Sequence, residues 1–277
     1  MEQLDRILSY TGAKPGTEMD IQRIQTEHRL KLAAYWGIEE GSRVLEIGCG
    51  QGDMTAVLAD IVGKNGFVHA IDVASPDYGS PLTLQEATAH ILCSEVGNRV
   101  RFDFEIDLTK NCTLPLEESA FDYVIFAHSS WYMDSLTTCA QLLQTSRQYA
   151  TSLCFAEWDL RITSLDQHAH FLAALIQAQA EEKHMNTLAN IHTLITPADL
   201  KALLPKSGWA ISSDTILSSP SLQDGEWEVN YVLDNTIVMQ EDNSNPLLKS
   251  QLNLLANAAE TRPIAPLNVY ALKADRM

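Results

Sequence analysis

The chain has 277 residues, 45% of them hydrophobic, enough for one sizeable buried core, whether as one large α/β domain or as a domain with an insertion. Its formal net charge of -17 opposes the counterion release that drives nucleic-acid binding and repels anionic membrane surfaces, so neither nucleic acid nor membrane is expected as a partner. The five cysteines (Cys49, Cys93, Cys112, Cys139, Cys154) never form a C-x-x-C pair, which suggests neither a disulfide framework nor a zinc site.

The first residues, MEQLDRILSY, carry acids where a signal peptide needs a basic start and an apolar core. No apolar run approaches the ~20 residues needed to span a bilayer. These features predict a soluble, cytoplasmic protein.

From residue 43 short apolar strands alternate with amphipathic helices, the pattern of parallel strands joined by right-handed crossovers, with helices on both faces. RVLEIG is the first strand. DMTAVLADIVG follows as a helix with apolar positions Met54, Val57, Leu58, Ile61 and Val62, ending at Gly63 in an expected left-handed cap. FVHAIDV is the second strand. In SPLTLQEATAHILCSEVG, Ser80 is the expected N-cap and Pro81 the first helical residue, with the helix running to Gly97.

RVRFDFEID alternates strictly and predicts a third strand with one charged face, suited to a sheet edge. FDYVIFAH is a near-continuous apolar strand and therefore central. DSLTTCAQLLQTSRQYA reads as a helix and SLCFAEWD as the fifth strand. A capping box, Ser164 to Gln167, opens a helix expected to reach about residue 185. Thr196, Pro197 and Asp199 open another that ends near Gly208. AISSDTIL is a sixth strand, one or two helices occupy about 225–260 with Asn245 and Pro246 starting the last, and APLNVYALKAD closes as a strand.

The stretch VLEIGCGQGD, residues 44–53, sets Glu46 before three glycines and Asp53 after them. A strand that ends in glycines and feeds a helix brings backbone amides to a ligand at the carboxyl edge of a parallel sheet. The dinucleotide fingerprint needs glycine or alanine where Asp53 stands, and no Lys-Ser/Thr pair follows for a phosphate loop. A carboxylate at that helix start would repel a pyrophosphate. Glu46, near the end of a buried strand, requires a cationic or donor-rich partner. Asp72 is placed to take both hydroxyls of a ribose, and Asp107 to accept from an adenine amino group. An adenosine carrying an ammonium and a sulfonium, without phosphate, is S-adenosylmethionine.

On these residues the chain resembles the class I S-adenosylmethionine-dependent methyltransferases. VLEIGCGQG is similar to their first motif, HAIDVA to the acidic motif of the second strand, FEIDLT to the third and FDYVIFAHSSWY to the fourth, over about residues 25–160 in the right order. The resemblance implies a Rossmann-like doubly wound α/β sheet of seven strands, ordered 3-2-1-4-5-7-6 with the last strand antiparallel. It assigns cofactor contacts to Glu46, Gly48, Cys49, Gly50, Gly52, Asp72, Val73, Asp107, Leu108 and Ala127, with S-adenosylhomocysteine as product. It further implies one domain over 1–277, in which an N-terminal helical segment 1–40 and helical insertions at about 161–195 and 225–260 form the lid and acceptor site.

The transferred methyl then points across the ends of strands four and five. His128 is the candidate general base there, which slightly favours an oxygen acceptor. Trp131, Tyr132 and Trp158 are candidates for an acceptor wall, and aromatics at strand ends are more often core. Glu157 and Asp159 are candidates for holding an amine, with a solvated strand-end carboxylate the plainer expectation. His168 and His170, two apart, cannot share a helix face, so no metal site is predicted.

The family's amino-methylating branches often carry Asn/Asp-Pro-Pro-Tyr/Phe after strand four. HSSW does not match, which argues against nucleobase N-methylation. ANIHTLITPADLKALLPKSGW resembles small-molecule methyltransferases and, with the acidic charge, favours a metabolite acceptor. The rival is an enzyme on the same fold that keeps the cofactor bound and catalyses a cyclisation or rearrangement. The oligomeric state is left open, a homodimer being one arrangement the sequence allows.

Overall fold

The computed structural model describes residues 2–110, 120–182, 191–235 and 246–277. Two helices, α1 (Gln3–Leu8) and α2 (Thr17–Trp36), precede the sheet. β1 (Arg43–Ile47), α3 (Asp53–Val62), β2 (Phe67–Ile71), α4 (Leu84–Cys93) and β3 (Val100–Asp103) build one half of it. β4 (Phe121–Ala127), α5 (Leu136–Ser146), β5 (Ala150–Asp159) and α6 (His168–Glu182) follow. Then come α7 (Pro197–Lys206), β6 (Trp209–Leu217), α8 (Asp224–Asp234), α9 (Pro246–Thr261) and β7 (Asn268–Arg276). Cys112, the expected helical residues 183–185 and Asn245 lie outside the described residues.

The seven strands run in the order β3-β2-β1-β4-β5-β7-β6, parallel except for β7, which pairs antiparallel with both β5 and β6. The two-residue strand period explains the layering. Val44, Ile125, Cys154 and Val269 face α1 to α4 and pack with Leu32, Trp36 and Val57. Their neighbours Leu45, Val124, Leu153 and Tyr270 face the other way, onto Leu143 of α5 and Leu200 and Leu204 of α7. Burial on both faces is what makes these strands continuous apolar runs. Helices α6, α8 and α9 bury a separate cluster of their own, including Ala173, Ile176, Val229, Val232, Leu252 and Leu255.

Three local expectations are corrected. The cap of α4 is Thr83, whose hydroxyl accepts from the Glu86 amide in a capping box, so Ser80 and Pro81 precede the helix and its last residue is Cys93 rather than Gly97. Gly63 takes φ 65° with ψ -167°, so its freedom is used for an extended exit and not a left-handed helical cap. β3 lies at the sheet edge as expected but stops at Asp103. Glu105 adopts φ 58°, and the chain instead crosses the tip of β2 through Glu105 N–H to Ala74 O (3.1 Å) and Ile106 N–H to Asp72 O (2.9 Å).

Candidate active site

The carboxyl ends of β1, β2 and β4 meet around the turn 48–52. Gly48 and Cys49 N–H both donate to Ile71 O (2.9 and 3.1 Å), which folds the turn across the tip of β2. Gly48, Gly50 and Gly52 have φ of 76°, 52° and 88°. A Cβ at Gly48 would lie 2.5 Å from Ser129 Cβ, and one at Gly52 would lie 2.7 Å from Ile91 Cδ1, so close packing requires glycine at both. A Cβ at Gly50 would meet nothing within 4 Å, so that side of the glycine faces open space. It is the cradle of the turn.

Asp72 stands beside that space. Its Oδ2 accepts from Gly50 N–H (2.8 Å) and its Oδ1 from Ala74 N–H (2.9 Å), which fixes the carboxylate and leaves a lone pair on each oxygen. Val73 is exposed and Leu108 buried. Asp107 Oδ1 accepts from Thr109 N–H (2.9 Å) and Oγ1–H (2.6 Å), and Lys110 Nζ stands 3.0 Å from Oδ2. Burial works against its charge, but these bonds hold the carboxyl below the usual range. Cys49 is buried, which pushes its thiol up, and Ala127 ends β4 in register with Ala156.

Glu46 is 2% exposed. The sequence requires a cation or donor for it, and the donor is Thr55, whose Oγ1–H bonds Oε2 at 2.6 Å. Burial pushes the Glu46 carboxyl up to about 8, Thr55 and Arg29 opposing the shift. With a folded value above the unfolded one, the native state holds a proton that the unfolded chain releases, so stability falls as pH rises from about 4.5 to about 8. Urea denaturation across that window is expected to show the decline in the wild type and a flatter profile in Glu46→Gln. Equal slopes would reject it.

Asp53 turns away from the glycine turn toward α2. Gln22 Nε2 donates to Oδ1 (2.8 Å), and Arg29 reaches Oδ2 at 3.4 Å. The acid that breaks the dinucleotide fingerprint is therefore held by the N-terminal helix.

His128 continues the β4 ladder through its N–H to Ala156 O (2.9 Å) and then turns with φ 53°. Its Nε2 faces His28 Nε2 at 2.9 Å, and His28 Nδ1 meets Ser219 Oγ at 2.9 Å. Nδ1 lies 3.5 Å from Glu157 Oε1, without hydrogen-bond geometry. Burial pushes His28 down to about 2, with the charges of His128, Arg29 and Lys31 acting the same way. Sequence reasoning missed His28, Ser219, Arg29 and Gln22. Nothing local marks them, since His28 and Ser219 are 191 residues apart.

Glu157 and Asp159 are buried, which corrects the solvated expectation. Glu157 accepts from four groups, Ser130 N–H and Oγ–H, Trp131 N–H and Trp158 N–H. Asp159 is taken by Arg161 through Nε and Nη2. Neither is left to hold an amine. Trp131 is core, its Nε1–H on Ile195 O, while Tyr132 is exposed. The Trp158 ring sits between His128 and His170, whose Nδ1 accepts from Leu267 N–H (2.9 Å).

Residues 38–208 match a family model described as a methyltransferase domain. The chain belongs to the class I S-adenosylmethionine-dependent methyltransferases. This methyltransferase is 36% identical to a cyclopropane-fatty-acyl-phospholipid synthase-like protein from Lactobacillus casei, with a TM-score of 0.89 and coverage of 99% of this chain and 98% of the other. It is 25% identical to methyltransferase phomM' of Diaporthe leptostromiformis over 69% of its own length and 59% of the fungal protein's. A magnesium protoporphyrin IX methyltransferase from Synechocystis, with bound S-adenosylhomocysteine, shares the fold at a TM-score of 0.52 and 14% identity, covering 99% of this chain and 93% of that one. Among the described residues, no helix of the methyltransferase is long and apolar enough to cross a membrane.

Proposed function

We propose that the enzyme transfers a methyl group from S-adenosylmethionine to a small-molecule acceptor in the cytoplasm. The observation that carries this reading is the open cradle at Gly50 flanked by the fixed Asp72 carboxylate, with Glu46 beneath it. Asp72 suits a ribose and, as a carboxylate, would repel a diphosphate, while an ammonium beside Glu46 would favour its ionised form. Gly48, Cys49, Gly50 and Gly52 would hold the methionyl part, Asp72 and Val73 the ribose, Asp107 and Leu108 the adenine, and Ala127 would close the methyl side. When bound, the cofactor supplies the electrophilic methyl group. The protein's part is positioning and exclusion of water, and α2, α6, α8 and α9 are the elements proposed as lid and acceptor wall.

Oxygen is the acceptor atom this reading favours, through His128. The acceptor hydroxyl would take the place of His28 at Nε2 and deliver its proton there.

Calorimetry with S-adenosylhomocysteine and NAD tests the cofactor. Binding of the first and none of the second is expected, and the reverse would overturn the proposal. Acceptor turnover read by mass separates methyl transfer, which adds one methylene unit to the product, from a cyclisation or rearrangement, which adds nothing.

A further inference from the structure

The methionyl end of the proposed cofactor carries a carboxylate as well as an ammonium. Near the glycine turn stand the Asp53 and Asp72 carboxylates, both of which push Glu46 up. A further negative charge is tolerated there only beside a cation. Lys110 is committed to Asp107 and Arg161 to Asp159. Arg29 is the charge that opposes these acids at Glu46, and its side chain is largely shielded from solvent.

The bonding of Arg29 is uneven. Nη1 donates to Gln25 O (3.0 Å) and Gln25 Oε1 (2.7 Å), which fixes one edge of the guanidinium on α2. The other edge reaches Asp53 Oδ2 at only 3.4 Å. Asp53 meanwhile has a shorter bond, 2.8 Å from Gln22, so it would keep a partner if Arg29 left it. A guanidinium anchored on one side and loosely paired on the other is suited to exchange one carboxylate for another.

We propose that Arg29 receives the methionyl carboxylate of the cofactor and that Asp53 is its internal competitor, occupying the guanidinium until the cofactor displaces it. The proposal rests on the cofactor reading above. It gives Asp53 a role that neither a phosphate loop nor a dinucleotide turn has for an acid. Because Gln25 also donates to Asp224 of α8 (2.7 Å), the exchange takes place on the helix that joins the turn to the outer helices.

The two residues should act with opposite signs. Calorimetry would compare S-adenosylhomocysteine with 5′-methylthioadenosine, which has the same nucleoside and thioether but lacks the amino-acid end. Arg29→Ala is expected to weaken S-adenosylhomocysteine binding by about 10- to 100-fold, the range for a lost charge-assisted bond, and to leave 5′-methylthioadenosine within about twofold. Arg29→Lys, which keeps the charge without the fork, should recover part of the loss. Asp53→Asn is expected to tighten S-adenosylhomocysteine binding.

Equal loss for both ligands in Arg29→Ala, or weakening by Asp53→Asn, would show a merely structural pair and overturn the proposal. Wild-type protein that binds neither ligand would overturn the cofactor reading itself. Melting curves identify any variant that fails to fold, and in that case the sign of the Asp53→Asn effect decides.

Discussion

Asp72→Ala is expected to weaken S-adenosylhomocysteine binding by about 10- to 100-fold, because hydrogen bonds to a charged group contribute roughly 1.5 to 3 kcal/mol. The loss has two physical parts. The carboxylate is the proposed partner of the ribose hydroxyls, and it also receives the amide of Gly50, whose conformation shapes the cradle. Asp72→Asn separates them. One amide oxygen can still accept from Gly50 N–H, while the second position becomes a donor facing Ala74 N–H, so the Gly50 contact is kept while the Ala74 bond and half of the ribose recognition are lost. Calorimetry on the three proteins, with melting temperatures to confirm folding, measures both parts. Unchanged affinity in Asp72→Ala would reject the ribose assignment.

Glu157→Ala is expected to cause the largest loss of stability. The side chain is 2% exposed and its two oxygens satisfy four donors from Ser130, Trp131 and Trp158. A buried donor left without a partner costs about 1 to 3 kcal/mol, and after partial relaxation the sum should reach about 3 to 5 kcal/mol. At the size of this domain that corresponds to a melting temperature lower by roughly 10 °C. Glu157→Gln keeps one accepting oxygen and should lose about half as much. The carboxylate thus clamps the loop after β4 to the end of β5, which holds His128 beside Trp158 at a ring separation of 4.7 Å. A melting temperature unmoved by Glu157→Ala would mean that water replaces the carboxylate at little cost.

Much of the site was legible because its signals are short-range. Gly48, Gly50 and Gly52 mark a turn by composition alone, and the acids Asp72 and Asp107 follow strand tips at readable intervals. The Thr83 to Glu86 capping box is equally readable, but the Ser80-Pro81 pair competes with it, a proline at a helix start being the commoner cue. The length of β3 was not readable. Strict alternation runs through Ile106, but an edge strand stops where its neighbour β2 ends, and that end is set by the glycine turn docking on Ile71 O.

By itself, the sequence determined the layer order and the position of the glycine turn. The period of two in the strands and the helical spacing between them specify which faces must be buried, and glycine is the residue that tolerates the positive φ of the turn. Only the tertiary structure decided how the charges are spent. Glu157 and Asp159 look like free strand-end acids until Ser130, Trp131 and Arg161 fold onto them, and His128 looks like an open base until α2 brings His28 to 2.9 Å. The fate of a buried polar group depends on partners 2 to 191 residues away, and no local spacing encodes those pairings.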